Sequence, residues 1–284
     1  MADSETQQLI ARALEEDIGS GDITSAACVP ADRSASGRFV AKQECVVAGL
    51  DLLPAIYELQ PEICFPNGSR VAAGAVIARI WGPAHQLLER ERVALNFIQR
   101  LSGIATLTRR FVDAVEGTGV TILDTRKTTP GLRKLEKQAV AAGGGRNHRM
   151  GLYDAILIKE NHVAAAGGIR AAVAAASRGP HPVEVEVRNL EELDEALEAG
   201  AAGLLLDNMT PEQVRACVQR ARQCSQQSRQ RKPAGVLVEV SGGITLANVR
   251  QYALAEPDFI SVGALTHSAP AADISFLLDA EPGA

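Results

Sequence analysis

Short apolar runs alternate with helical stretches from residue 120 onward. Each run is four or five residues long, which suits a buried strand better than a helix. Most of the intervening stretches are rich in Ala or Leu and carry Gly near their ends, as in 168–177 and 190–199. This alternation predicts right-handed βαβ units and a parallel sheet. The predicted strands are 120–124, 155–159, 183–187, 204–207, 236–240 and 259–262.

The first 118 residues show a different pattern. An amphipathic helix is predicted at 4–17, where four apolar side chains share one face. Short strands and turns come next. Two helices are then predicted at 85–101 and 104–115, with Gly103 as the break between them, and we place a domain boundary near Gly117–Gly119. The predicted strands of this part are 38–42, 45–48 and 71–80.

Polar residues follow almost every strand of the second half at the point where the strand ends. In a βα barrel the carboxyl ends of the strands meet at one rim, where the active sites of this fold lie. In an open sheet, ligands bind instead at one crossover point. Because polar groups follow so many strands, a barrel is favoured. Six recognisable strands rather than eight indicate an incomplete barrel or further strands that the pattern does not reveal. The strand-end segments are 124–131, 159–162, 207–208, 241–243 and Gly263.

Charge and composition narrow the class of ligand. The net charge is −5 and aromatic residues are 4%, which argues against a nucleic-acid-binding protein. No apolar run reaches the roughly 18 residues needed to span a bilayer. Five scattered cysteines without a CxxC pair indicate a reducing compartment such as the cytoplasm. Between residues 124 and 162, eight lysine or arginine residues stand against four acidic ones, which predicts a small anionic ligand.

Two glutamates on one predicted strand need cations nearby. Glu184 and Glu186 are two residues apart, so they share one face of the strand. If that face is the barrel interior, both carboxylates are partly desolvated and need partners. Lys159, Arg126 and Lys127 could supply them. The alternative is an edge strand with both glutamates in water.

Two further segments indicate anion binding. The segment 124–131 combines two cations with three hydroxyls, and planar guanidinium groups bind carboxylate or phosphate at two points. The segment 241–243 precedes a helix predicted to begin at 245–248, where backbone N–H groups can bind phosphate. Together these features predict a phosphorylated sugar and a second, carboxylate-bearing substrate, with Mg²⁺ or ribose hydroxyls held by the acidic residues.

Two other functions remain open on these residues alone. One is an aldolase-like barrel in which the Lys159 amine forms a Schiff base. The other is a non-catalytic sugar-phosphate or oxyanion-binding protein, which would bind its ligand without catalytic turnover.

Nine motifs spread over nearly the whole chain carry a more specific signal. They are EDIGSGDIT (16–24), ERVALN (91–96), LSGIA (101–105), DTRKTTPGLR (124–133), NHRMGL (147–152), KENH (159–162), VEVE (183–186), LDN (206–208) and SGGIT (241–245). Together they resemble the quinolinate phosphoribosyltransferase family. The resemblance implies a type II phosphoribosyltransferase with an N-terminal α/β sandwich (1–118), an incomplete parallel α/β barrel (119–268) and a C-terminal tail (269–284) that returns to the N-terminal domain.

The resemblance also implies an activity and an assembly. Phosphoribosyl would pass from 5-phosphoribosyl-1-pyrophosphate to quinolinate with decarboxylation, which gives nicotinate mononucleotide, pyrophosphate and CO₂ in NAD biosynthesis. Mg²⁺ would accompany the phosphoribosyl pyrophosphate. The protein would be a cytoplasmic homodimer, in some members part of a larger homo-oligomer, with no nucleic-acid or membrane partner.

Roles for individual residues follow from the same resemblance. Lys159, Glu186 and Asp207 would be catalytic, and the two acids would also serve the metal through substrate or water. The expected substrate-binding residues are Arg126, Lys127, Thr128, His148, Arg149 and Lys159 for quinolinate and phosphate, Glu186 and Asp207 for the ribose side, Ser241, Gly242, Gly243 and Gly263 for the 5′-phosphate, and Arg92 for the neighbouring subunit's site.

Three positions depart from the family pattern. Gln138 stands where many members have Tyr, Ala142 where many have Cys, and Glu160 where Asp is common. None of them is an expected site residue. They leave room for a paralogue such as the similar proteins associated with molybdate transport.

Overall fold

The structure is a computed structural model that describes residues 3–227 and 235–280. In this part of the chain no helix is both long enough and apolar enough to cross a membrane. The strands are β1 (Ser34–Ala41), β2 (Cys45–Val46), β3 (Glu62–Ile63), β4 (Arg70–Val71), β5 (Val76–Pro83), β6 (Thr121–Leu123), β7 (Ile156–Ile158), β8 (Val183–Val187), β9 (Gly203–Asp207), β10 (Leu237–Ser241), β11 (Phe259–Ser261) and β12 (Ile274–Ala280). The helices are α1 (Ser4–Ile18), α2 (Ile23–Cys28), α3 (Leu53–Tyr57), α4 (Ala84–Ala114), α5 (Arg133–Ala142), α6 (Glu160–Ala166), α7 (Ile169–Ala176), α8 (Leu190–Glu198), α9 (Pro211–Gln227), α10 (Val249–Ala253) and α11 (Ala264–His267).

The chain divides into two compact units, and neither is continuous in sequence. The first comprises 1–109, 129–144 and 268–284, and the second comprises 110–128 and 145–267. The domain ranges 1–118, 119–268 and 269–284 stay predictions, because compact units do not by themselves show which segments fold independently. The last four residues of the predicted tail lie outside the described residues.

An antiparallel sheet in the order β12-β1-β5-β3 forms the centre of the first unit. Strand β12 pairs with β1 along its whole length, so the segment that follows the barrel strands belongs to the sheet of the first unit. Phe39 on β1 and Phe276 on β12 pack with ring centroids 4.9 Å apart, and Tyr57 lies against both rings. These aromatic contacts close the core between the sheet and α3.

Helix α4 is one continuous helix rather than the two predicted from Gly103. The prediction of a break is wrong because the glycine has a packing role here. A Cβ at position 103 would lie 2.0 Å from the Pro270 carbonyl oxygen, so only glycine lets the 268–272 segment cross the helix this closely. The cost of one helical glycine, about 1 kcal/mol, is small beside the packing of a helix of 31 residues.

A parallel sheet in the order β6-β11-β10-β9-β8-β7 forms the second unit. All six predicted barrel strands are confirmed, each within a residue of its predicted ends. In the described residues no pairing joins β6 to β7, so the barrel is incomplete, as predicted. Buried leucine side chains fill β9, which reads as a continuous apolar run because strands in a covered parallel sheet are buried on both faces. In β10 the buried Val238 and Val240 flank a buried Glu239.

Candidate active site

A cavity of about 190 Å³ lies at the carboxyl ends of the strands in the second unit. The structure therefore brings the polar strand ends to one rim, as the barrel prediction requires. The residues that line it are Thr125, Arg126, Lys127, His148, Arg149, Leu157, Lys159, Glu186, Leu205, Asp207, Glu239, Ser241 and Ser261.

A larger cavity of about 370 Å³ lies in the first unit, between α1, α4 and α5. Its walls are mainly apolar, and among the described residues that line it Arg100 is the one cation. That guanidinium already donates to the buried Glu136 carboxylate, at 2.8 Å from Nη2. The second-unit cavity is thus the one with the chemistry that the sequence predicts.

The loop after β6 carries Arg126 and Lys127, and its backbone is held on both sides. The Lys127 N–H donates to the Thr125 hydroxyl at 3.0 Å, and the buried Thr266 hydroxyl donates to the Lys127 carbonyl at 2.8 Å. Gly263 lies close by, since a Cβ there would be 3.2 Å from Lys127 Cδ. A larger residue at 263 would push the lysine side chain away.

Glu184 and Glu186 occupy the same face of β8, and the edge-strand alternative is wrong because β8 lies between β7 and β9. The valines of the opposite face are buried. Lys159 Nζ lies 2.6 Å from Glu186 Oε2, and the Glu186 side chain is only 10% exposed. The expected pairing of interior carboxylates with cations is therefore present.

Glu184 lies two residues further than Glu186 from the carboxyl end of β8. Burial, followed by the neighbouring Glu239 carboxylate, raises the pKa of Glu184 to about 7, and the charges of His148, Arg149 and Lys159 oppose this shift. A carboxyl group next to another carboxyl group in a low-dielectric site holds its proton more strongly than in water.

His148 follows a segment that runs beside the end of β6. Its backbone N–H donates to the buried Asp124 carboxylate at 2.9 Å, and its Nδ1 accepts the Arg149 N–H at 2.6 Å. Nε2 lies 3.4 Å from a Glu239 oxygen and 3.9 Å from a Glu184 oxygen. The imidazole is thus oriented by groups on several strands.

Arg149 is the second guanidinium of the cavity. It donates to the Ala155 carbonyl at 3.0 Å through Nη1. Burial, then the charge of Arg126, lowers the pKa of Arg149, but an arginine stays charged in proteins. Two guanidinium groups close enough to repel one another form a site that an anion would stabilise.

The segment after β10 forms a tight turn against the end of β9. Gly242 has φ +95° and a Cβ there would lie 2.3 Å from Asn208 Oδ1, while Gly243 has φ +63° and faces open space. Asp207 pairs with Ser241 in the sheet register and accepts the Asn208 side-chain amide at 2.8 Å. Glycine is required because neither conformation suits an ordinary side chain.

The helix expected to begin at 245–248 begins later, at Val249. Asn248 instead closes a turn, accepting the Thr245 N–H at 2.7 Å and donating to the Gly243 carbonyl at 3.0 Å. An anion near Ser241 would therefore meet the backbone of the glycine turn rather than the end of a long helix.

Of the predicted site residues, eight line the cavity and five do not. Those in the lining are Arg126, Lys127, His148, Arg149, Lys159, Glu186, Asp207 and Ser241. Gly242, Gly243, Gly263 and Thr128 belong to its loops. Arg92 is exposed on α4 in the first unit.

Glu239 and Ser261 line the cavity and were missing from the predicted set. Glu239 is only 2% exposed and accepts a hydrogen bond from the Ser261 hydroxyl. The signal was in the sequence: a carboxylate stands between valines in a buried strand, two residues before Ser241 and therefore on the same face.

One group of three possible metal ligands occurs among the described residues, and it is not the predicted one. It consists of His148, Glu184 and Glu239, whose ligand atoms lie within 4.8 Å of one another. Glu186 and Asp207 also line the cavity with carboxylate oxygens, each with a protein partner.

Fold and cavity together define a class: an incomplete α/β barrel whose strand ends form a cavity lined by basic and acidic side chains. Two family profiles match the chain, the quinolinate phosphoribosyl transferase N-terminal domain over residues 22–102 and the C-terminal domain over residues 104–277. The chain belongs to the quinolinate phosphoribosyltransferase family.

Individual relatives cover almost the whole chain. A Bacillus subtilis protein named probable nicotinate-nucleotide pyrophosphorylase (carboxylating) is 44% identical over 268 residues, which is 92% of this chain and 89% of that protein. The nicotinate-nucleotide pyrophosphorylase (carboxylating) of Mycobacterium leprae is 42% identical over 93% of this chain and 94% of its own. The solved structure of the Francisella tularensis nicotinate-nucleotide pyrophosphorylase matches with a TM-score of 0.91 and 37% identity, over 98% of both chains.

Proposed function

We propose that this chain transfers phosphoribosyl from 5-phosphoribosyl-1-pyrophosphate to the ring nitrogen of quinolinate. Pyrophosphate and CO₂ leave, and nicotinate mononucleotide forms. The observation that carries the proposal is one cavity that combines five basic side chains with carboxylates at neighbouring strand ends. Family membership supports the identity of the two substrates.

The basic side chains suit an acid with two adjacent carboxylates. Arg126 and Arg149 are close enough that one charge affects the other, and guanidinium groups bind carboxylates at two points. Lys159 and His148 lie in the same lining. Quinolinate would neutralise this group of charges, and its ring nitrogen would then face the sugar.

The acidic side chains suit the ribose. Breaking the bond between ribose C1 and the pyrophosphate oxygen builds oxocarbenium character on the sugar, as in other glycosyl transfers. Carboxylates fixed beside that charge stabilise it without reorganising. Glu186 and Asp207 have this role in our proposal, and the Lys159 contact at 2.6 Å holds the Glu186 carboxylate in place.

The bond changes balance without a covalent intermediate on the protein. The leaving pyrophosphate takes the electron pair of the C1–O bond, and the quinolinate nitrogen donates its lone pair to C1. The quaternised ring nitrogen then stabilises the carbanion that forms at ring C2 when CO₂ leaves, and a proton completes the product. Lys127 and the N–H groups of Ser241, Gly242, Gly243 and Gly263 would bind the phosphates.

Magnesium is the expected companion of phosphoribosyl pyrophosphate, and the donor chemistry fits. Mg²⁺ prefers oxygen ligands and keeps several waters, and Glu186 and Asp207 present carboxylate oxygens to the cavity. Glu186 already contacts Lys159, and Asp207 contacts Asn208, so both would hold the ion through water or substrate oxygens. When bound, Mg²⁺ would neutralise charge on the leaving pyrophosphate.

We further infer a homodimer that works in the cytoplasm. Arg92 is exposed on α4, and its guanidinium would complete the substrate pocket of the partner subunit. The five cysteines are free in the structure, which supports a reducing compartment.

One assay tests the activity. Purified protein with Mg²⁺, quinolinate and phosphoribosyl pyrophosphate should release CO₂ and pyrophosphate in equal amounts. Ligand binding without release would favour the oxyanion-binding alternative. A Lys159 adduct trapped by borohydride with a carbonyl substrate would favour the Schiff-base alternative. We expect none, because Lys159 Nζ contacts Glu186 Oε2 at 2.6 Å and the proposed reaction forms no covalent bond to the protein.

A further inference from the structure

Glu239 is a buried carboxylate that the proposed reaction does not use. It lies in the middle of β10 and is 2% exposed. A buried carboxylate needs partners to offset the loss of water. On β11 the Ser261 hydroxyl donates to Glu239 Oε1, and the other oxygen lies 3.4 Å from His148 Nε2.

The geometry around His148 shows what this carboxylate does to the ring. Nδ1 accepts the Arg149 N–H at 2.6 Å, so in the neutral ring the proton sits on Nε2. Nε2 faces Glu239 and, at 3.9 Å, Glu184. A carboxylate acceptor on that side therefore selects both the tautomer and the ring orientation, because a partner of an imidazole nitrogen fixes where its proton lies.

The contact between Glu239 and His148 also affects the position of Arg149. Because the Arg149 N–H is hydrogen-bonded to the ring, a rotated imidazole would lose this bond and release the backbone that carries the second guanidinium of the cavity. The Arg149 side chain depends on that backbone to reach the Ala155 carbonyl. One buried carboxylate thus orients two neighbouring members of the basic group.

We propose that Glu239, held by Ser261, is a positioning residue that fixes the orientation and tautomer of His148 and through it the acid-binding part of the cavity. The expected effect on quinolinate kinetics rests on the proposed function. The expected orientation and tautomer of the His148 ring do not depend on that function.

The decisive variant is Glu239→Gln. The amide keeps the size of the side chain and can still accept from Ser261 through its oxygen, but it then turns an NH₂ donor toward His148 Nε2. Two donors cannot share one hydrogen bond, so in that orientation the ring must rotate. If the amide instead turns its oxygen to Nε2 and donates to the Ser261 hydroxyl, a neutral and therefore weaker acceptor replaces the carboxylate, so the surroundings of Nε2 change in either orientation. Ser261→Ala is the milder variant, since it keeps the carboxylate and removes only the bond that orients it.

A matched control is available at the other end of the same barrel. The Asp258 carboxylate accepts the Val238 N–H at 2.7 Å, and each of its two oxygens lies 2.9 Å from Arg222 Nη2. Asp258→Asn makes the same change from acid to amide at a hydrogen-bonded site without touching the cavity lining. It should lower the melting temperature and leave His148 and the kinetics unchanged.

The first measurement is ¹⁵N NMR of histidine-labelled protein, with the His148 signals assigned by their loss in His148→Asn. The wild type should show the Nε2–H tautomer, and Glu239→Gln should shift both nitrogen signals. The second is steady-state kinetics. Glu239→Gln should raise the KM for quinolinate about tenfold, the effect of one hydrogen bond to a charged group, and change the KM for phosphoribosyl pyrophosphate less than about twofold on the same scale.

The NMR and kinetic results together test the role of Glu239 separately from the proposed function. Wild-type nitrogen shifts in a folded Glu239→Gln protein would overturn the proposal, as would equal changes in both KM values. If Glu239→Gln does not fold, Ser261→Ala must show the same shifts in smaller size, and their absence would overturn it equally. If the wild type releases no CO₂ or pyrophosphate, the proposed function fails, while the NMR result still decides the role of Glu239.

Discussion

Replacing Lys159 by alanine should separate the two substrates. Lys159 Nζ lies 2.6 Å from Glu186 Oε2, with the lysine side chain 45% exposed and the glutamate 10% exposed. Lys159→Ala removes a cation from the acid-binding group and leaves the Glu186 carboxylate without that partner. Both effects disfavour a dianionic ligand, so quinolinate binding should weaken.

The size of the loss follows from the exposure of the pair. A hydrogen bond to a charged group contributes about 1.5–3 kcal/mol, and the half-exposed lysine places this pair at the lower end because solvent screens it. We therefore expect a dissociation constant for quinolinate about tenfold higher, since about 1.4 kcal/mol corresponds to that factor.

Isothermal titration calorimetry measures the dissociation constant of each substrate alone. The double variant Lys159→Ala/Glu186→Gln should bind quinolinate more tightly than Lys159→Ala, because it removes the unpaired carboxylate as well. Asp207→Asn is the comparison on the sugar side: it should leave quinolinate binding within about twofold and impair turnover or phosphoribosyl pyrophosphate binding. Equal losses of both ligands in Lys159→Ala and Asp207→Asn would refute the division of the cavity.

Three further predictions concern specificity, assembly and pH. Nicotinate has one carboxylate, so it should leave part of the basic group unneutralised. We expect it to be used at least about a hundredfold less well than quinolinate, which corresponds to about 3 kcal/mol. Nicotinate mononucleotide formed from nicotinate at a rate comparable with that from quinolinate would contradict this. Arg92→Ala and Lys159→Ala homodimers should each lose most of their activity at a quinolinate concentration below the wild-type KM. Mixing them under conditions of proven chain exchange should restore part of that activity, since one site of a mixed dimer carries neither change; no recovery would exclude a shared site. Burial and Glu239 raise the pKa of Glu184 to about 7 from an ordinary value of about 4.3. Between these two values the folded protein holds a proton that the unfolded chain releases. The resulting contribution to the free energy of unfolding is present below pH 4 and is lost as the pH rises to 7. Glu184→Gln should therefore gain melting temperature relative to the wild type on going from pH 4.5 to pH 8, and a difference that does not change with pH would show that Glu184 titrates normally.

The paralogue alternative has a direct experimental consequence. A protein that binds oxyanions for transport would not need acids beside the ribose, so Glu186→Gln would leave ligand binding intact and there would be no turnover to lose. In the proposed enzyme the same variant should keep quinolinate binding and lose most of kcat, because the carboxylate stabilises charge that develops only in the transition state.

Local pattern was enough for the strands of the barrel and for most of the basic cavity. A run such as 183–187 alternates valine with glutamate, and a strand with period two must place the two glutamates on one face. Because the carboxyl ends of parallel strands meet at one rim, residues as far apart as Arg126 and Ser241 could be assigned to one site without coordinates.

Local pattern failed where a distant segment decides the outcome. Gly103 predicts a break in α4 on propensity alone, but the Pro270 carbonyl that crosses there needs the glycine and the helix continues. The turn at 245–248 delays α10 because Asn248 bonds back to Gly243 and Thr245, a choice between side-chain and helical hydrogen bonds that sequence does not resolve.

The βα order, the family and the identity of the basic residues follow from residue type and spacing along the chain. For Glu239 the sequence indicates the face of the strand, but its partners come from the fold: the Ser261 hydroxyl on the neighbouring strand donates to the carboxylate, and His148 Nε2 lies 3.4 Å from its other oxygen. The raised pKa of Glu184 is decided in the same way. Desolvation and the charge of a neighbouring group depend on distances across the sheet. Glu184 and Glu239 are 55 positions apart in the chain, so no local sequence pattern indicates that they interact.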